Sequence, residues 1–341
     1  MSWRRWVFVG ISFAATLGVT LWVLRRGDAA EVPRDLSLPA WAHLAAFAAV
    51  LLEITTRAVK IQWAALALHI PLRFATALRV CLGGDFAASI TPARSGAEPA
   101  RFVILVNGGT GPAPALLVLF AELLLETWSL VFVCVVFFFA FEDRGAVVNI
   151  MNTMIVSYAL LVLALGAIGY GLAHSHARGP VPGWAAAVGL HAGRWRAVQL
   201  ALRSLRTNLS AFRTARQGPM FAAFVASLVH VGLKLALLPI LAITMDPSLS
   251  LAPLALWGMV FLYGGAIAPA PGGGGAVEFG FQFAFRDLMS PAVLASTLVW
   301  WRFYSFYLYI MLGGLSVGTT VLRALRSRQH GRLHERTARR T

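Results

Sequence analysis

The sequence predicts an all-α polytopic membrane protein, with about six full spans and two broken re-entrant helical hairpins arranged as inverted repeats. The composition is the first observation behind this prediction. Of the 341 residues, 58% are hydrophobic and only 13% are charged, whereas about a quarter of the residues in a soluble domain are charged. A water-soluble fold of this length could not bury so much apolar surface, so the chain is expected in a bilayer.

The basic charge of the chain is the second observation. The formal net charge is +15, which usually suggests a nucleic-acid partner. Here apolar runs interrupt the charge everywhere, so no nucleic-acid partner is expected, and the pattern is typical of the positive-inside rule. Cys81 and Cys134 both lie in apolar stretches and are expected to be small buried side chains.

The first half of the chain contains three apolar runs and one broken segment. The run 6–24 lies between two arginine pairs and exceeds the ~7–15 apolar residues of a signal peptide, so an uncleaved span is predicted. The run 39–60 is the second predicted span. In residues 72–107, neither side of the polar segment 91–98 supplies the ~20 apolar residues that a span needs, which favours a re-entrant hairpin. The run 114–141 is the third predicted span.

The second half repeats this order of elements, which is the third observation. Residues 150–173 and 219–245 are predicted spans. Residues 251–289 are interrupted by a proline- and glycine-rich segment, 269–275, and are predicted to form a second broken hairpin. The run 291–322 is the last predicted span. The order span, span, broken hairpin, span therefore occurs twice, which favours the inverted repeats of many secondary transporters.

The distribution of arginine orients these elements. With the N-terminus inside, the Arg-rich segment 174–218 and the Arg-rich C-terminal tail 323–341 also fall in the cytoplasm, as the positive-inside rule requires. The same orientation results if each hairpin crosses fully twice, so re-entrance stays open. The predicted organisation has five parts: a first membrane repeat (1–141), the first span of the second repeat (142–173), a cytoplasmic basic amphipathic segment (174–218), the remainder of the second membrane repeat (219–322) and a basic cytoplasmic tail (323–341).

Two short motifs support the internal repeat. Ser95-Gly-Ala-Glu98 and Gly275-Ala-Val-Glu278 lie 180 positions apart, and each opens the second half-helix of its hairpin. Glu98 and Glu278 have two interpretations. Each could cap its own helix, Glu98 in a capping box with Ser95, or each could face a polar cargo where the hairpin tips meet.

Arg94 and Arg101 flank the first motif. The planar guanidinium makes two parallel bonds to a phosphate, so both residues are candidate ligands for a phosphate-bearing headgroup. The alternative is that their side chains snorkel to the lipid headgroups at the membrane surface.

Glu122 and Glu126 lie one turn apart inside a predicted span. A charge at mid-membrane costs ~2.5–3.5 kcal/mol on insertion scales, so these groups are expected to pair, to protonate or to line a cavity. Candidate partners are three basic residues: Arg302, Lys234 and Arg101. The 180-residue offset relates Glu122 to Arg302 and predicts that these two residues form an ion pair. His230 and Lys234 could form a relay or simply face the bundle interior.

The motifs together resemble the lysylphosphatidylglycerol synthase transmembrane-region family of flippase-like membrane proteins. The similarity lies in Pro92-Ala-Arg94-Ser-Gly96-Ala-Glu98-Pro-Ala-Arg101, in Pro271-Gly-Gly-Gly-Gly-Ala-Val-Glu278 and in Trp301-Arg302 ahead of a glycine-rich last span. The resemblance implies that the protein moves lipids between leaflets. Some members carry a soluble aminoacyl-transferase domain, but only a short basic tail follows the last span here, so aminoacylation is not expected.

The predicted function is therefore a flippase-like transporter that moves a lipid or a lipid-linked polar headgroup across a bacterial inner membrane, and not an enzyme. The alternative is a non-transporting membrane subunit that docks a lipid-modifying or envelope-biogenesis partner. The predicted partners are membrane lipids with a phosphate-bearing headgroup, a homo-oligomer is compatible with the sequence, and no cofactor or metal is expected. The predicted substrate-binding residues are Arg94, Glu98, Arg101, Glu122, Glu126, Glu278 and Arg302.

Overall fold

The computed structural model describes residues 38–91, 94–141, 214–264 and 273–316, with isolated positions between 145 and 212. These residues form helices and no strand, which confirms the all-α class. The number of spans and the inverted repeat stay predictions. Several predicted parts lie wholly or mostly outside the described residues: the span 6–24, most of 150–218 and the tail 323–341.

Eight α-helices have defined bounds in the described residues: α1 (Ala40–Ala67), α2 (Phe74–Ser89), α3 (Ala97–Asn107), α4 (Pro112–Ala140), α5 (Gln217–Met245), α6 (Leu251–Met259), α7 (Ala276–Phe285) and α8 (Pro291–Arg302). Two of them continue into π-helical turns. The turn Val260–Gly264 follows α6, and the turn Phe303–Tyr307 follows α8. Residues 308–316 then extend the last element as a regular helix.

Helices α4 and α5 are each long and apolar enough to cross a membrane. Each has 29 residues, which at a rise of 1.5 Å per residue exceeds the ~30 Å hydrocarbon core of a bilayer. Their outer faces carry large exposed apolar side chains, among them Trp128, Phe139 and Phe221. Such faces need lipid around them rather than water.

The centre of the bundle is the lengthwise packing of α1 against α5, the most extensive helix pairing in the described region. Small residues on α1, such as Ala42 and Ala46, meet Leu238 and Leu241 of α5 in one buried cluster. Small side chains let helix backbones approach closely, as is typical of helix pairs in membranes.

The first broken segment consists of α2 and α3, which pack against each other. They have 16 and 11 residues, and each is shorter than the ~20 residues of a full span. Thr91 closes α2 and supports the turn, because its hydroxyl donates to the Ala87 carbonyl at 2.6 Å and accepts the Gly96 N–H at 2.9 Å. The predicted interruption is therefore present, whereas its re-entrance stays a prediction.

The second broken segment also consists of two short helices. Helix α6 has nine residues and α7 has ten. Gly275 directly precedes α7 with a φ of 85°, a left-handed conformation that favours glycine. Ser290 caps α8, where its Oγ accepts the Val293 N–H at 3.4 Å. Further along, Gly313 lies so close to α2 that an added Cβ would be 2.5 Å from the Leu82 carbonyl oxygen.

A buried ionic network and a cationic cavity

Helix α1 carries three charged side chains, Glu53, Arg57 and Lys60, on one face of the helix. All three residues are at most 2% exposed. A buried charge that lacks a partner is strongly destabilising, so each of these residues needs an opposite charge or a hydrogen-bond donor close by. The three residues thereby determine where α2, α4 and α5 lie around α1.

Arg57 joins α1 to the first broken segment. Both terminal nitrogens of its guanidinium donate to the two carboxylate oxygens of Asp85 on α2, one of them at 3.0 Å. Its Nε lies 3.5 Å from Oε1 of Glu53, one turn earlier on α1. A bidentate arginine–carboxylate pair is among the strongest side-chain interactions, and it fixes orientation as well as distance.

Glu53 joins three elements of the bundle. The Tyr309 hydroxyl, from the helix that follows the last π-helical turn, donates to Oε2 of Glu53 at 2.7 Å. The Nε2 atom of His230 on α5 lies 3.3 Å from Oε1 of Glu53. His230 and Lys234 therefore contact different groups. His230 faces Glu53, whereas the Lys234 ammonium lies 5.6 Å from the centre of the Tyr263 ring.

Lys60 and Arg101 hold the two glutamates of α4. The Lys60 ammonium donates to Oε2 of Glu126 at 3.2 Å and lies 3.7 Å from Oε1 of Glu122. The guanidinium of Arg101 donates to the same oxygen of Glu122 at 3.4 Å and to Oε1 of Glu98 at 3.0 Å. We call Lys60, Glu98, Arg101, Glu122 and Glu126 the Glu122 cluster.

Arg302 pairs with Glu278 in the second half of the chain. Its Nε lies 2.8 Å from Oε1 of Glu278, and the other carboxylate oxygen of Glu278 accepts the Gly275 N–H at 2.7 Å. Glu278 therefore does what its capping interpretation predicts and also binds an arginine. The predicted ion pair between Glu122 and Arg302 is wrong, because these residues belong to two different ion pairs.

The first motif, Ser95–Glu98, does not form a capping box. Helix α3 begins after Gly96, and no side chain caps it. Glu98 instead turns along the helix to Arg101, three residues later. The capping interpretation of Ser95 and Glu98 is therefore wrong, because the Glu98 carboxylate binds the buried guanidinium of Arg101 instead.

A cavity of about 70 Å³ lies where α1, α2, α5 and α8 meet. At ~30 Å³ per water it has room for about two water molecules or one small polar group. Its lining combines an aromatic wall with charged and hydroxyl groups. The charged residues are four bases and one acid: Arg57, Arg94, Lys234, Arg302 and Asp85.

Two of the four basic residues in this cavity are already neutralised. Arg57 is bound to Asp85, and Arg302 is bound to Glu278. Arg94 and Lys234 have no carboxylate within 4.0 Å in the part of the chain that the structure describes. We therefore call this space the cationic cavity, since its two free positive charges suit an anion.

Arg94 also has an unusual backbone conformation, with a φ of 54°. Residues other than glycine seldom adopt positive φ, and such strained positions cluster at binding and catalytic sites. The Arg94 side chain lines the cavity from the turn between the two helices of the first broken segment.

The predicted site residues thus divide into two groups. Arg94 and Arg302 line the cationic cavity, and Glu278 holds Arg302 there. The remaining four, Glu98, Arg101, Glu122 and Glu126, lie together in the Glu122 cluster. Sequence reasoning did not assign Arg57, Lys60 or Asp85 to the site, although the spacing of Glu53, Arg57 and Lys60 on one helical face was a usable signal.

A helical bundle with apolar outer faces and a buried ionic network defines the class of protein, a helical integral membrane protein. The family model of the lysylphosphatidylglycerol synthase TM region matches residues 7–313. The chain belongs to this family, as its motifs predicted, and the match associates it with lipid biology. No curated protein matches the chain significantly.

Proposed function

We propose that this protein moves a lipid with a phosphate-bearing headgroup between the leaflets of a bacterial inner membrane, with both termini in the cytoplasm. The proposal is one of transport, without covalent chemistry on the lipid. The observation that carries it is the cationic cavity, in which Arg94 and Lys234 lack a carboxylate partner among the described residues. Membership of the family supports lipid as the class of cargo.

The cavity takes its charges from both halves of the chain. Arg94 lies at the turn of the first broken segment, Lys234 lies on α5, and Arg302 ends α8 beside α7 of the second broken segment. In transporters with inverted repeats the substrate binds between the repeats, near the broken helices. A headgroup held by Arg94 and Lys234 would therefore be released to one side or the other as the two halves move.

Purified full-length protein in phosphatidylcholine vesicles allows a direct test. The vesicles contain a trace of phosphatidylglycerol with a fluorophore on one acyl chain, and dithionite added outside bleaches only the outer leaflet. We expect the wild-type protein to bring inner-leaflet lipid to the reductant. Arg94→Ala and Lys234→Ala should each slow this movement by roughly tenfold or more, since a hydrogen bond to a charged group contributes ~1.5–3 kcal/mol.

A lysine at position 94 tests whether the contact with the phosphate needs the guanidinium fork or only a positive charge. Arg94→Lys should keep part of the rate, because lysine retains the charge but loses the bidentate fork. The matched control is Arg286→Ala, since Arg286 is 62% exposed. Its contacts among the described residues are local, an ion pair with Asp287 and a cation–π contact with Phe283. A folded Arg94→Ala variant with the wild-type rate would refute the headgroup assignment. A wild-type protein that moves no lipid would instead favour the non-transporting subunit.

A further inference from the structure

The charges around the cationic cavity balance. In the described region, the cavity and the ion pairs behind it contain six basic and six acidic side chains, with His230 counted as neutral: Arg57, Lys60, Arg94, Arg101, Lys234 and Arg302 against Glu53, Asp85, Glu98, Glu122, Glu126 and Glu278. An anion that enters the cavity leaves this low-dielectric region with a net negative charge, which is strongly unfavourable.

The balance is uneven within the network. The Glu122 cluster has three carboxylates for two cations. The compensating positive charge lies on the cavity side of the network, where four cations, Arg57, Arg94, Lys234 and Arg302, face three carboxylates, Glu53, Asp85 and Glu278. A phosphate that binds Arg94 and Lys234 takes this compensation away, so the cluster needs another positive charge at that moment.

Glu122 has an atom that is free to accept this charge. Its side chain is 1% exposed, and its Oε1 is shared by Lys60 and Arg101, at 3.7 Å and 3.4 Å. Its Oε2 is buried and has no hydrogen-bond partner among the described residues. Oε2 of Glu98 is also buried and unpartnered in the same part of the chain, but the Glu98 side chain as a whole is 44% exposed. An unpartnered carboxylate oxygen in such surroundings is unfavourable, and a proton on it would convert the carboxylate into a neutral acid.

We propose that the cationic cavity and the Glu122 cluster form one coupled site, at which the binding of a phosphate headgroup is accompanied by the uptake of a proton on Glu122. In this step a hydronium ion from solution gives its proton to Oε2 of Glu122 and becomes water, and no bond of the lipid or of the protein is broken. The proton offsets the charge of a monoanionic lipid, so the total charge of the site is unchanged. The inference rests on the proposed function and names the protonation that accompanies headgroup binding.

The surroundings of Glu122 contain other groups that respond to the same charge. They come from the four neighbouring helices and from α4 itself: Arg57 and Lys60 on α1, Cys81 and Asp85 on α2, Glu98 and Arg101 on α3, Glu126 on α4, and His230 and Lys234 on α5. His230 and Glu98 are the rivals for the proton, because His230 is fully buried and contacts Glu53, and Glu98 also has a buried carboxylate oxygen without a partner among the described residues.

Proton uptake can be measured on the full-length protein in detergent. The solution is weakly buffered near pH 7 and contains a pH-sensitive dye, and phosphatidylglycerol in the same detergent is added. Bound lipid is counted separately by native mass spectrometry. We expect the wild-type protein to take up about one proton per bound lipid, as linkage between proton and ligand requires. Dimethyl phosphate, which carries the same charge without acyl chains, is the second ligand and distinguishes a lipid site from a site for free phosphodiesters.

The Glu122→Gln variant resembles the protonated form. It should bind phosphatidylglycerol with almost no proton uptake. Asp287→Asn is the matched control, because Asp287 is 84% exposed and lies outside the network, and it should behave as the wild type does. Proton uptake that persists in Glu122→Gln but disappears in His230→Gln or in Glu98→Gln would overturn the assignment to Glu122.

The wild-type measurement decides the coupling even if the variants fail to fold. Phosphatidylglycerol bound without proton uptake would refute the coupling and leave the proposed function intact. Failure to bind phosphatidylglycerol would refute the proposed function, and the coupling with it. Equal proton uptake with dimethyl phosphate would overturn the lipid specificity of the site.

Discussion

The ion pair between Glu278 and Arg302 offers a sharp test of how the second half of the chain is held together. Glu278 is completely buried and Arg302 is nearly so, with 2.8 Å between their charged atoms. Loss of one partner from a buried pair costs about 3–5 kcal/mol, because the other charge is left uncompensated. At ~2–4 °C per kcal/mol, Glu278→Gln and Arg302→Gln should each lower the apparent Tm by roughly 6–20 °C.

The double variant should be more stable than the sum of the single effects allows. With both charges removed, no uncompensated ion remains, and the glutamine at 278 keeps an oxygen that can accept the Gly275 N–H. We expect a coupling energy above about 1 kcal/mol in the double-mutant cycle. The assay is the loss of monodisperse protein in detergent after heating, followed by size-exclusion chromatography.

A second cycle serves as the control for the first. The coupling between Glu122→Gln and Arg302→Gln should be clearly smaller than the coupling in the first cycle, because Glu122 pairs directly with Lys60 and Arg101, whereas Arg302 pairs directly with Glu278. Additive effects in the first cycle combined with strong coupling in the second would refute the observed pairing and restore the pairing that the repeat offset predicts.

Two further predictions concern topology and packing. Gly145→Cys should react with an impermeant thiol reagent in intact cells, whereas Leu200→Cys should be protected until the membrane is opened; labelling at 200 would contradict the predicted cytoplasmic segment. Gly313→Ala should lower the thermal stability by about 1–3 kcal/mol, because the new methyl group would meet the Leu82 carbonyl oxygen at 2.5 Å. Gly232→Ala is its control, since an added Cβ there has nothing within 4 Å, and a similar loss in both variants would contradict the packing argument.

Most helices and both interruptions follow from local chemistry, so the sequence predicted them, although α1 ends at Ala67 and the predicted span ended at residue 60. The polar residues 91–96 cannot continue an apolar helix, and Gly275 supplies the backbone angle at which α7 begins. The apolar runs predicted α4 and α5 to within a few residues. These properties depend on neighbours in sequence and need no knowledge of the rest of the fold.

The ion pairs depend on distant residues, and here sequence reasoning was less successful. Lys60 and Glu126 are 66 positions apart, and no local sequence pattern indicates that they form an ion pair. Arg101 was among the partners considered for Glu122, and the structure confirms that contact. The predicted ion pair between Glu122 and Arg302 was wrong because a repeat only relates corresponding positions. Two such positions touch only if both lie near the symmetry axis.

The small volume of the cationic cavity has a consequence for the energetics of transport. At about 70 Å³ the space has room for the phosphate of a headgroup but not for two acyl chains. Each methylene group that left hydrocarbon would cost about 0.8 kcal/mol, so a carrier that enclosed the whole lipid would have to replace that environment for every carbon. If the chains stay in the bilayer while the headgroup passes through the protein, only the dehydration of the headgroup has to be compensated. Selectivity would then depend on headgroup charge and be insensitive to acyl-chain length.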